Sequence, residues 1–303
     1  MERIGKRSGL IMRLVMRSLK KKRNESEHYI PRDYAEARAA QDRLSRKQPL
    51  PIGVKRTRED LGWWFEDKGS TRKKIVLYIH GGGFSVGSAE SSYNFPVAVC
   101  RKGGFPVLSV EYRLAPEHPY PAALEDCVHA CQTLLARGFH GKDIVLLGDS
   151  AGGNLVFATA LYLRDHGIEL PAALCGVSPV GAVDDTPPSR KERAERDPMI
   201  GKDFTEETEA IYVCGHDRKD PYLSPIYGDF TGVPPIWMCV GTEEVFYDDA
   251  LLLAKAAQKS GVPVQLIVGE GMCHVYPVIP DRISSKTVQS LRNFIAAALE
   301  ERQ

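Results

Sequence analysis

The sequence predicts an α/β protein: a mostly parallel central sheet with helices on both faces and a helical cap. Three observations predict it. From about residue 54, short apolar runs alternate with stretches of helical periodicity. One segment breaks that alternation where the sheet's carboxyl edge must lie. The 303 residues suit one large α/β domain with additions, and a chain of that length buries roughly three-quarters of its unfolded surface.

Near the start, Leu10, Ile11, Leu14, Val15 and Leu19 recur at three and four residues with basic residues between them, so an amphipathic helix is expected. A second helical piece is expected over 31–44, before Pro49 and Pro51 break the chain. Strands are expected at 75–79, 106–110, 143–147, 174–177, 236–240 and 264–268. Helices are expected at 122–135, 153–164, 248–259 and 284–299. The segment 184–212 opens Asp184-Asp185-Thr186-Pro187-Pro188 and is rich in charge, as an insertion would be. Ligands bind at the carboxyl edge of open α/β sheets, so this insertion is a candidate lid. The expected organisation is N-terminal cap helices over 1–50 and a main domain over 51–303, with a cap insertion at about 184–215.

Composition excludes several classes. Hydrophobic residues at 43% and charged residues at 26% rule out a disordered, collagen-like or polytopic membrane chain. A net charge of +1 gives no global field to recruit nucleic acid. The charge is uneven: residues 1–60 carry 17 Lys/Arg against 8 Asp/Glu, a net of +9, and the remainder carries −8. Charge runs are usually solvated faces; the alternative is weak contact between the basic N-terminus and an anionic membrane surface. Arg13 interrupts the apolar stretch 10–16, and Lys20-Lys21-Lys22-Arg23 follows it. That is neither a signal peptide nor long enough to span a bilayer. Seven cysteines form no CxxC and are odd in number. They suit buried free thiols in a cytoplasmic protein, with no disulfide framework and no metal site.

Gly148-Asp149-Ser150-Ala151-Gly152 follows an apolar run and precedes a helical stretch. A serine there sits on a sharp strand-to-helix turn whose neighbours must be small. Ser150 is therefore the candidate nucleophile. A serine hydroxyl needs a base to take its proton and a carboxylate to orient that base. In this chain order the acid comes next and the histidine last. Downstream histidines are His166, His216 and His274, and only His274 follows the last expected strand, so it is the candidate base. After the preceding strand, Glu243, Glu244, Asp248 and Asp249 compete for the acid, and spacing alone leaves them open. Gly81-Gly82-Gly83 after a strand lets backbone N–H groups approach an oxyanion, with Ala151 N–H as a further donor. The loop lacks both GxGxxG spacing and a Walker lysine, so it does not read as a phosphate cradle.

Three motifs resemble the hormone-sensitive-lipase-like esterase branch of the α/β-hydrolase fold. They are His80-Gly81-Gly82-Gly83-Phe84, the run from Tyr112-Arg113-Leu114-Ala115-Pro116-Glu117-His118-Pro119 to Asp126, and Gly148-Asp149-Ser150-Ala151-Gly152-Gly153-Asn154. With Asp220-Pro221, Ser224-Pro225 and the His274 region, the resemblance covers roughly residues 55–300. It implies Ser150 as nucleophile, His274 as base, and Gly82, Gly83 and Ala151 as oxyanion donors. Many members carry the acid as Asp in a D-P-L-x-D segment; aligning 244–248 to it puts Glu244 in that position, a longer side chain of the same charge. Arg113, Glu117 and Asp126 are expected to form a bracing charge network. The resemblance further implies a carboxylesterase for short- to medium-chain acyl esters, acting on a small-molecule ester through a Ser-His-Glu triad and an acyl-enzyme, with no cofactor. A homodimer also fits the family. The rival readings are an amidase or deacetylase on the same triad, and a non-catalytic small-molecule binder.

Overall fold

In the computed structural model, which describes residues 1–5, 9–25, 33–101 and 105–300, the described residues build one nine-stranded sheet. From edge to edge it runs β1 (Glu2–Ile4), β9 (Val264–Gly269), β8 (Ile236–Gly241), β7 (Ala173–Val177), β6 (Ile144–Asp149), β4 (Ile75–Ile79), β5 (Val107–Val110), β3 (Gly62–Asp67) and β2 (Val54–Glu59). The pairs from β1 through to β5 are parallel, and β3 runs antiparallel to both β5 and β2. Every residue of β4, β5, β7 and β8 is buried, as parallel strands covered on both faces must be.

Two hydrophobic layers cover the sheet. On one face, α4 (Ala122–Ala136), α5 (Ala151–Asp165) and α8 (Tyr247–Lys259) pack Leu134, Phe157 and Leu253 over Leu77, Leu146 and Met238. On the other, α3 (Asn94–Cys100) and α9 (Arg282–Glu300) pack Val99, Leu291 and Ile295 over Tyr78, Leu147 and Trp237. Leu146 and Leu147 enter opposite layers because successive strand side chains alternate faces.

All six expected strands and the four main expected helices form, with ends shifted by a few residues. The sequence reading did not foresee β1, the β2–β3 hairpin or α3. Two helices lie between β1 and β2, α1 (Leu10–Glu25) and α2 (Tyr34–Arg46), so the expected cap region over 1–50 also holds an edge strand of the sheet; residues 31–32 of the expected second helix lie outside the described residues. The apolar stripe of α1 does not face the core as amphipathic packing would have it. Met12 is buried with Cys273 and the α9 layer, while Leu10, Ile11 and Leu14 are more than half exposed. No described helix is long and apolar enough to cross a membrane.

After β7 the chain leaves the sheet through α6 (Ser189–Glu192), α7 (Phe204–Thr208) and a π-helical turn at Glu209–Val213. A buried ion pair fastens this segment to α8: Arg190 Nη2 lies 2.6 Å from Asp249 Oδ1, with the guanidinium between the rings of Phe204 and Phe246. The expected charge network divides in two. Arg113 pairs with Asp126 and Glu125. Glu117 instead pairs with Arg38 of α2, which also donates to the carbonyls of Ser85 and Ala115. Arg38 therefore joins α2 to the loop after β4 through Ser85 and to the loop after β5 through Ala115 and Glu117.

Candidate active site

Ser150 sits between β6 and α5 with φ 54° and ψ −122°, outside the usual regions for a non-glycine residue. Backbone bonds on both sides hold the turn: Ser150 N–H donates to Val177 O at 2.9 Å, and Val180 N–H donates to Ser150 O at 3.1 Å. Small neighbours are obligatory here. A Cβ on Gly152 would collide with the Ile79 carbonyl oxygen, and one on Gly148 with that of Gly152.

The loop after β9 carries His274, and the loop after β8 carries Glu244. His274 Nε2 lies 3.0 Å from Ser150 Oγ, and His274 Nδ1 lies 2.7 Å from Glu244 Oε2. The other Glu244 oxygen accepts from Ser178 Oγ at 2.8 Å and from Gly241 N–H at 2.5 Å. Ser178 Oγ also accepts from Val275 N–H at 3.0 Å, so one hydroxyl joins the acid loop to the histidine loop. The sequence reading missed Ser178; its only signal was a polar residue at the carboxyl end of an apolar strand.

The competing carboxylates are engaged elsewhere. Glu243 pairs with Arg196, Asp248 accepts from Ser189 N–H, and Asp249 holds Arg190. The other histidines lie apart from Ser150. His166 is exposed at the end of α5 and bonds to Tyr162 O; His216 meets the edge of Tyr120.

The glycine loop lies against the serine turn. Asp149 Oδ1 accepts from Gly81 N–H at 3.1 Å and from Tyr78 Oη at 2.5 Å, which ties the loop to the residue before Ser150. Gly82 adopts φ 123°, where a Cβ would collide with the Val86 carbonyl oxygen. Among the described residues no acceptor engages the N–H groups of Gly82 or Gly83. Ala151 N–H opens α5 and is likewise an end donor of that helix. The His80 ring stacks on Tyr112 beneath the loop, and burial pushes its pKa down to about 4, so it stays neutral.

Electrostatics at His274 are dominated by carboxylates. Burial opposes its charged form, but the hydrogen bond and charge of Glu244, then the charges of Asp197 and Asp149, outweigh burial and raise its pKa. Beside the glycine loop a cavity of about 510 Å³ is lined by Gly82, Asp149, Leu44, Gln48, Met199 and Val278. Both α2 and the segment after β7 thus contribute walls, within the size range of small-molecule sites.

Residues 76–278 match the α/β-hydrolase fold family. The chain belongs to that family. It is 38% identical over 212 residues to an acetyl-hydrolase of Streptomyces hygroscopicus, covering 69% of this chain and 71% of that one. A hormone-sensitive lipase from a metagenome library superposes with a TM-score of 0.89 at 31% identity, covering 97% of this chain and 100% of that one. EstE5, in a crystal soaked with p-nitrophenyl butyrate, superposes with a TM-score of 0.86 at 29% identity, covering 96% of this chain and 99% of that one. Within the family, the chain is a hormone-sensitive-lipase-like esterase, a hydrolase of the carboxylesterase class.

Proposed function

We propose that this esterase hydrolyses short- to medium-chain acyl esters with Ser150 as nucleophile, His274 as base and Glu244 as the orienting acid. The unbroken hydrogen-bonded line from Ser150 through His274 to Glu244, at 3.0 and 2.7 Å, carries the reading. Ser150 Oγ attacks the ester carbonyl carbon while His274 Nε2 takes its proton. The N–H groups of Gly82, Gly83 and Ala151 hold the oxyanion. Collapse of the tetrahedral intermediate breaks the carbon–alkoxy bond, and His274 returns the proton to the leaving alkoxide. Water, deprotonated by His274, then attacks the acyl-enzyme and releases the acid and Ser150. Glu244 keeps Nδ1 protonated, so Nε2 is free to accept. Helix α2 and the segment 184–215 act as the cap over the cavity, with α1 fastened to that segment through Arg23.

The acetyl-hydrolase relative favours small acyl groups. Hydrolysis of p-nitrophenyl esters from acetate to palmitate is expected to be fastest at short chains. A maximum at palmitate overturns the substrate class. Turnover of anilides with none on any ester overturns the ester reading in favour of the amidase.

We further propose that α1 touches anionic membrane surfaces weakly. Its outward face combines exposed Leu10, Ile11 and Leu14 with exposed Arg13, Arg17, Lys21 and Lys22. Vesicles containing anionic phospholipid are expected to co-sediment the protein at low salt, and Arg13→Glu with Arg17→Glu to abolish that. Equal pelleting of this double variant, or equal pelleting with neutral vesicles, overturns the contact. A cytoplasmic location rests on seven free thiols, six of them buried. The homodimer that the resemblance implies is read from the sedimentation velocity of the same preparation.

A further inference from the structure

Asp197 is a fully buried carboxylate in the segment after β7, and no motif in the sequence marks it. Its two oxygens face different parts of the molecule. Oδ1 accepts from Met199 N–H at 2.7 Å and from Ile200 N–H at 2.9 Å, closing a turn in its own segment. Oδ2 accepts from Val245 N–H at 2.9 Å. That peptide directly follows Glu244. The same turn is gripped from a third side by α1: Arg23 Nη1 donates to the carbonyls of Ala194 at 2.7 Å and Asp197 at 2.5 Å. Apolar packing seals the junction, with Ala194, Ile200 and Phe204 against Val245 and Phe246, and the Phe246 ring 5.0 Å from that of His274.

We propose that Asp197 is a positioning residue for the hydrolytic reaction: through Val245 N–H it fixes the peptide that aims Glu244 at His274, and its charge adds to the field on that imidazole. The proposal rests on the Ser150–His274–Glu244 reading above.

The physical argument starts from Glu244. Its side chain is held at one oxygen by Ser178 and Gly241, but its direction also depends on the backbone that carries it. Glu is long, and a loop that rotates by a few degrees swings its terminal oxygen by a large part of a hydrogen-bond length. Tying the next peptide to a buried carboxylate removes that freedom. A buried carboxylate is costly unless its oxygens are satisfied, and three N–H donors satisfy this one. A turn alone would need only Oδ1; the bond from Oδ2 crosses 48 residues of sequence to the acid loop.

Three carboxylates act on His274: Glu244 from the acid loop, Asp197 from the segment after β7, and Asp149 from the end of β6. Its other titratable neighbour in the chain is the Cys273 thiol, which burial pushes up to about 12 and so keeps neutral. Removing the Asp197 charge therefore lowers the His274 pKa and moves the acid limb of kcat/KM to lower pH.

Asp197→Asn separates the two roles of this side chain. Its amide oxygen can keep both turn bonds, which leaves the NH2 group facing Val245 N–H, donor against donor. Asp197→Ser is the second variant: its hydroxyl can cap the turn but cannot reach Val245. For either variant, kcat per titrated active site is expected to fall about tenfold or more, with KM within about threefold. The acid limb is expected to move down by about half a pH unit or more. If Asp197 only builds the turn, melting temperature and active-site concentration fall while kcat per site and the acid limb stay put, and the proposal is overturned. Failure of both variants to fold also overturns it, since Asp197 is then a residue of the fold. Ser150→Ala measured alongside keeps the two readings apart: an active Ser150→Ala enzyme sinks the triad, whereas an inactive one beside an unaltered Asp197→Asn enzyme sinks only the role of Asp197.

Discussion

Ser150→Ala is expected to lower kcat on p-nitrophenyl acetate by roughly 10⁵-fold or more while the protein stays folded. The loss follows from the proposed mechanism: without Oγ there is no atom to form the acyl-enzyme, and the proposed oxyanion donors alone give only residual acceleration over water. The retained fold follows from the local structure. The Ser150 side chain does not cap α5, and its one hydrogen bond is to His274. The turn is held by backbone bonds to Val177 and Val180 and by the crowding at Gly148 and Gly152, none of which needs a hydroxyl. Alanine tolerates φ 54° no worse than serine, so the melting point is expected to change by the equivalent of about 1 kcal/mol or less. Turnover above about one per cent of the parent's, in protein free of contaminating hydrolase, is the result that removes Ser150 from the mechanism.

The parts of this molecule that were legible in the sequence are those where one local pattern decides the outcome. Ile75–Ile79 is an uninterrupted apolar run, and a run buried on both faces can be read without knowing its neighbours. Ser150 was legible because a strained turn restricts its neighbours to small residues within five positions. His274 was legible because only one downstream histidine follows a strand. Other parts depend on distant partners. Glu2–Ile4 is a strand only because it pairs with Ile267–Gly269 at the far end of the chain, and its residues carry charge rather than an apolar run. Val54–Glu59 alternates with charged residues as the sheet edge, and its partner strand is needed to see it. The helical period of α1 was readable, but which side it turns inward was not: the buried Met12 is fixed by α9 and Cys273, so the leucines at 10 and 14 point outward. Ser178 and Asp197 belong to the same class. Each is a single polar residue whose contacts with the acid and histidine loops lie 48 to 97 positions away, and no spacing rule reaches that far.

Glu244→Gln is expected to cost about 10³- to 10⁴-fold in kcat, although it changes the side chain's shape hardly at all. The reason is the direction of its hydrogen bonds. The Oε1 position accepts from both Ser178 Oγ and Gly241 N–H, so the amide oxygen of a glutamine must take that place. Its NH2 group then lies at the Oε2 position, 2.7 Å from His274 Nδ1, and can only donate. Nδ1 becomes the acceptor, the proton moves to Nε2, and the nitrogen facing Ser150 can no longer take a proton. A factor of 10⁴ is about 5.5 kcal/mol of transition-state stabilisation. The pH profile gives an independent reading of the same pair. Burial opposes the charged form of His274, but Glu244, with Asp197 and Asp149, outweighs it and raises the His274 pKa above the ordinary imidazole value. Because the base must be neutral, activity of the parent enzyme is expected to fall as pH drops through that raised pKa, in a limb above pH 6.5. The charged pair also stabilises the fold below the ordinary imidazole pKa, a contribution lost as pH rises through the raised one. In Glu244→Gln the carboxylate charge is gone, so the residual activity should show its acid limb shifted to lower pH. Glu244→Asp keeps the charge and the tautomer but is one methylene short, so it is expected to retain more activity than the glutamine variant. If the glutamine variant keeps kcat within a fewfold of the parent and the limb does not move, the orienting acid is not Glu244. Glu243 and Asp249 could replace it only by breaking their ion pairs with Arg196 and Arg190. Asp248, bound only to the Ser189 N–H and not to a cation, would then be the residue to substitute next.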